Sequence, residues 1–151
     1  MQEKIKILAL DQASNCGFYV DEHIHGVWDF NTRKDESSGM KMLRFKAKLK
    51  ETCELEKIKL IVYERVSGMH KASIIHGAKM VAMIESFAEE NQIEYKAYSA
   101  SEIKKFATGK GNANKEKMVQ SCIEKYGFTP IDDNEADAAH IWHLATRDLY
   151  Q

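Results

Sequence analysis

The sequence is poor in everything that would take it away from an ordinary folded interior. One proline and eight glycines in 151 residues are too few for a disordered or low-complexity chain. The three cysteines, Cys16, Cys53 and Cys122, are odd in number, widely spaced and without a CxxC pair. They argue against a disulfide framework or a zinc knuckle and for reduced thiols in a reducing compartment. Long hydrophobic runs are missing as well. MQEKIKILALD reaches only a few apolar residues before a charge, which suits neither a signal peptide nor a membrane span. The expectation is a cytoplasmic protein with no membrane partner. A net charge of -1 offers no positive excess for binding nucleic acid by bulk electrostatics.

What is present is a globular composition, 44% hydrophobic and 30% charged, in a length that suits one domain spanning residues 1–151. The basic residues are gathered in two stretches. Lys41, Arg44, Lys46, Lys48 and Lys50 form one, and Lys104, Lys105, Lys110, Lys115 and Lys117 the other. A basic face is compatible with balanced net charge if the acids collect elsewhere.

Hydrophobic periodicity sets out the elements. Residues 4 to 11 read as a strand that becomes fully buried and ends on Asp11, and 16 to 20 and 24 to 30 complete an antiparallel meander around the Asp21-Glu22 turn. From about Ser38 to Glu56, Met42, Phe45, Leu49 and Cys53 recur at helical spacing. A strand over 58 to 64 ends on Glu64. A long helix from about Lys71 to Glu90 carries Ile74, Gly77, Val81, Ile84 and Ala88 on its core face, with Ile75 and Met83 outside that stripe as a candidate dimer surface. The last strand is 93 to 98. Ser99 and Glu102 fit a capping box for a short helix that stops near Gly109. Another helix starts from Asn112 or Asn114 and runs to about Tyr126, and Pro130 breaks the chain. The final helix starts between Asp132 and Glu135 and turns Ala138, Ile141, Ala145 and Leu149 to the core. The order βββαβαβα plus a closing helix is that of an α/β, RNase H-like mixed five-stranded sheet, antiparallel first and parallel afterwards, flanked by helices.

In open α/β sheets, function gathers beyond the carboxyl ends of central strands, where Asp11 and Glu64 fall. In IDDNEADAAHIW, Asp132 and Glu135 have the spacing of a capping pair. Asp137 adjoins the Ala138 and Ile141 stripe and so faces the sheet, with Asn134 and Asp133 on the same face. Carboxylates brought together repel and lose solvation, so a cation should compensate them. Oxygen-rich sites favour Mg²⁺ or Mn²⁺. Two such ions support in-line hydrolysis of a phosphodiester to a 5′-phosphate and a 3′-hydroxyl, and the expectation is two per active site with no organic cofactor. The reading is a metal-dependent nuclease built on Asp11, Glu64 and Asp137. His140, Trp142 and His143 are expected to serve packing. Gly109 and Gly111 lack Walker A spacing and suit a flexible loop at a DNA backbone.

LALDQASNCGFYV, IVYERV, SASEIKKFATGKGNANKEKM and DNEADAA, in that order, resemble the RuvC-type Holliday junction resolvases, especially the phage-borne branch, over nearly the whole chain. The resemblance implies a homodimer that makes paired nicks across a four-way DNA junction, in a bacterial host's cytoplasm if phage-encoded. It carries the first-strand acid onto Asp11, the second onto Glu64 and the final helix acid onto Asp137. The family's other helix acid falls on Asn134, leaving the fourth metal ligand to Asn134, Asp133 or a water. Family lysines that serve catalysis and DNA contact match Lys104 and Lys115. After Glu64, RVSGMHKAS occupies a region that reaches the junction centre in relatives, where this chain has Met69 or His70 as a wedge and no aromatic. Arg65, Met69, His70 and Lys71, with Lys105, Lys110, Asn112 and Lys115, are the expected DNA contacts. An RNA-processing nuclease on the same fold and a non-catalytic junction-binding protein, permitted by Asn134, are the competing readings.

Overall fold

The computed structural model describes residues 3–151. Five strands, β1 (Ile7–Asp11), β2 (Asn15–Asp21), β3 (Ile24–Asp29), β4 (Leu60–Glu64) and β5 (Glu94–Tyr98), form one sheet in the order β3-β2-β1-β4-β5. β1, β2 and β3 pair antiparallel, whereas β4 and β5 join β1 in parallel. Among the described residues five helices cover the faces: α1 (Ser38–Glu56), α2 (Lys71–Glu90), α3 (Ala100–Thr108), α4 (Lys115–Tyr126) and α5 (Asp133–Tyr150). This is the expected mixed sheet, with β1 in its middle.

β1 is buried along its whole length because both faces are covered. Its side chains alternate between the layers: Ile7 and Ala9 pack with α3, α4 and α5, and Leu8 and Leu10 with α1 and α2. In the α5 layer, Ala136, Ala138, Ala139 and Ala145 are small enough to bring helix and sheet backbones close. Cys16, Cys53 and Cys122 are free and buried.

The starts of α3, α4 and α5 follow their caps. Ser99 accepts from Glu102 N, Asn114 from Lys117 N and Asp132 from Glu135 N. Each thereby satisfies a backbone donor left free in the first turn. α3 ends on Gly109 at φ +85°, a left-handed position that other residues adopt at a cost.

Three expectations need correction. In α2 the buried residues are Met80, Ile84, Phe87 and Ala88, while Ile74, expected on the core face, is 40% exposed; Ile75 lies outside the stripe as expected, 47% exposed. Met83, expected outside the core, packs against it. Leu149, expected inside, is 47% exposed, while its neighbours Asp148 and Tyr150 make the contacts to Tyr98 and Ile5. No helix among the described residues is long and apolar enough to cross a membrane.

Candidate active site

Pairing places the acids. The β1–β4 register aligns Leu10 with Tyr63, so Asp11 and Glu64 follow side by side at the carboxyl edge. Asp11 pairs across the other side with Gly17 of β2. A Cβ on Gly17 would lie 2.0 Å from Asn134 O and 2.7 Å from Glu135 N. Only glycine admits the first turn of α5 at this distance, and that turn carries Asp137 toward Asp11. Gly17 was missed by sequence reasoning, which had no signal for a close approach between elements so far apart in the chain.

Further contacts seat α5. Glu135 is 3% exposed, and its carboxylate takes His25 Nδ1 at 2.7 Å and Ile131 N at 2.6 Å. It is therefore a buried anchor to β3 as well as a partner in the cap. Asn134 Nδ2 donates to Asn15 O at 2.8 Å, tying the helix start to the beginning of β2. Gln12 Nε2 donates to the Glu64 carbonyl at 2.5 Å, bracing β1 against β4 just below the acids. Its neighbouring Oε1 is buried without a partner.

The electrostatics show one cluster. Burial raises the Asp11 pKa well above the carboxylate range, and the charges of Asp137, Glu64, Asp133 and Asp132 add to the rise. Asp137 is pushed up to about 7 by burial, Glu64 and Asp133, against the opposing pull of Lys104 and Lys115. Glu64 is raised by burial and lowered by Lys104. Like charges in a poorly solvated place favour their neutral forms, and such perturbation marks functional sites.

The other expected residues fall into groups. Lys104 and Lys115 both act on the acids, and Lys115 Nζ lies 3.7 Å from Asp133 Oδ2. Asp133 thus joins the acid cluster, whereas the Asn134 amide nitrogen is spent on Asn15. Arg65, Met69, His70, Lys71, Lys110 and Asn112 are exposed, Met69 by 96%. Lys105 lines a separate cleft with Glu102, Phe106, Leu144 and Arg147, away from the acids. His140 is a core residue, its ring nitrogens 2.9 Å from Met118 O and 2.8 Å from Tyr126 OH. Trp142 and His143 pack with Tyr19 in the same layer.

The donor set suits a hard divalent cation, being carboxylate oxygens from three elements. Asp137 Oδ1 is buried with no hydrogen-bond partner, an uncommon and costly condition for a carboxylate oxygen. As they stand, no three His, Cys, Asp or Glu side chains among the described residues close into a finished metal cage. The site is an open edge of acids rather than an enclosed pocket.

No family model and no curated protein matches the chain. Among solved structures it is similar to Thermus thermophilus RuvC in complex with a Holliday junction substrate, at 16% identity and a TM-score of 0.73, covering 91% of this chain and 90% of that one. A second structure of Thermus thermophilus RuvC gives a TM-score of 0.69 at the same identity and coverage. The yeast mitochondrial Holliday junction resolvase Ydc2 gives 0.57 at 16% identity, over 91% of this chain and 75% of that one. The chain has the RNase H-like fold of the RuvC-type resolvases.

Proposed function

We propose that this protein is a structure-selective endodeoxyribonuclease that resolves four-way or related branched DNA junctions. The observation that carries the proposal is the convergence of Asp11, Glu64 and Asp137 at one sheet edge, with a buried Asp137 oxygen left without a partner. The same fold in a RuvC bound to a Holliday junction substrate supports the choice of DNA.

Asp11, Glu64 and Asp137 would hold Mg²⁺ or Mn²⁺, with Asp133 better placed than Asn134 to complete the set. When bound, such ions supply charge neutralisation for the attacking and leaving oxygens of an in-line displacement. The chain's own residues do the rest. Gln12 fixes the backbone at Glu64, so the two strand-end acids keep their spacing. Lys104 faces Glu64 and Asp137 and, with Lys115, offers positive charge to the scissile phosphate. Arg65, Met69, His70 and Lys71 approach the substrate from the loop after β4, and Lys110 and Asn112 from the loop after α3. The products would be a 5′-phosphate and a 3′-hydroxyl.

A homodimer would set two sites on one junction. Its surface would draw on the exposed apolar side chains Leu43 of α1 and Ile74 and Ile75 of α2, which are 60%, 40% and 47% exposed. Exposed apolar side chains gathered into a patch are typical of an interface.

A substrate panel with Mg²⁺ or Mn²⁺ tests the function. A synthetic four-way junction should be nicked in pairs while linear duplex of the same sequence stays whole. Preferential cutting of structured RNA would favour the RNA-processing reading, and binding without cutting would favour a non-catalytic junction binder.

A further inference from the structure

One cation on the α1 and α2 layer has no part in the chemistry described so far. Lys41, in the first turn of α1, places Nζ 2.8 Å from Ser14 Oγ and 3.3 Å from His76 Nε2. Ser14 lies in the turn leading from Asp11 into β2, and its carbonyl accepts from Phe30 N at 2.7 Å, which braces that turn against the end of β3. His76 stands in the second turn of α2. Burial and the charges of Lys41 and Lys79 lower its pKa, which favours the neutral ring whose nitrogen can accept from the ammonium.

An ammonium has three donors. Two of them here meet neutral atoms. Arg44, Lys46 and Lys48 of the same helix each pair with a glutamate, but Lys41 pairs with no carboxylate among the described residues. Its third donor and its full charge remain for an anion. His76 also lines a cleft of about 420 Å³ with Gln12, Glu64, Arg65 and Ser73. That cleft leads to the acid edge from the α1 and α2 side, opposite Lys104 and Lys115, which approach from the α3 and α4 side.

We propose that Lys41, held by Ser14 and His76, grips a backbone phosphate of the cut strand beside the scissile one, on the side opposite Lys104 and Lys115. The inference rests on the nuclease reading above. Every nucleotide of a strand lying across the acids brings a phosphate, and cations from both layers would hold such a strand on either side of the point of attack.

Lys41→Met keeps the aliphatic stem and removes the charge, while Lys41→Arg keeps the charge. Junction affinity is measured against salt for the three proteins in an Asp11→Asn background, so that the DNA stays intact. Lys41→Met should bind about tenfold more weakly, with the slope of log affinity against log salt reduced by about 1. Lys41→Arg should recover most of that slope. An uncharged methylphosphonate at the contacted phosphate should weaken the Lys41 protein and leave Lys41→Met unaffected. Equal slopes for Lys41 and Lys41→Met would overturn the assignment, even with a lower thermal midpoint in the variant, because a merely structural lysine leaves counterion release alone. In that case cleavage by the otherwise natural protein would leave the nuclease reading standing. If that protein cuts no DNA under any divalent ion, both readings fall.

Discussion

Asp137 is held between opposed influences: burial, Glu64 and Asp133 push its pKa up to about 7, and Lys104 and Lys115 pull it down. A carboxyl raised above its unfolded value of about 3.9 binds its proton more tightly in the folded chain. The stability this adds is complete below the unfolded pKa and is lost as pH rises toward about 7. Asp11 and Glu64 shift in the same direction and add to the loss. With divalent ions chelated, the thermal midpoint should therefore fall as pH rises through that window. Asp137→Asn should flatten the fall and melt several degrees above the natural protein at about pH 8, as scanning calorimetry would register. A lower midpoint for the variant would mean that the ionised carboxylate is stabilising without a metal. The strand-end positions of Asp11 and Glu64 were legible from periodicity, and Asp137 from its place beside the apolar stripe of α5. Gln12, Gly17 and Lys41 were not, since each acts through a contact between elements distant in the chain.

α5 decides whether the three acids meet. Its alanines let it lie close on β1 and β2, Asp132 caps it, and the Glu135 contacts with His25 and Ile131 fix its start. The tightest point is Gly17, where an added Cβ would fall 2.0 Å from Asn134 O. Backbone cannot step aside as a flexible side chain does, so Gly17→Ala must push the helix start away from β2. Overpacking of this kind costs about 1–3 kcal/mol. A lower urea midpoint together with strongly reduced cleavage is expected; unchanged values for both would show that this approach does not position Asp137. The caps and the β1 and α5 stripes could be read from residue types. The first half of α2 could not, because Ile74 has helical periodicity whether or not a sheet lies beneath it.

At the scale of the molecule, the sheet carries its acids on one edge, and helices from both layers bring lysines toward that edge. Net charge of -1 conceals this arrangement, since charge balance does not report where charges lie. The exposed apolar residues of α1 and α2 form a second surface feature, and the dimer drawn from them has a direct check. Ile74→Glu with Ile75→Glu should leave a folded monomer by light scattering, whereas an unchanged dimer would move the interface elsewhere. The proposed nuclease activity requires Asp11, Glu64 and Asp137 to act as one metal-dependent site on branched DNA. Single-turnover cleavage of a four-way junction in Mg²⁺ or Mn²⁺, comparing Asp11→Asn with the natural protein at equal junction occupancy, tests this most directly. A loss of about 10³-fold or more with junction affinity retained is predicted; cleavage by Asp11→Asn within tenfold of the natural protein would contradict it.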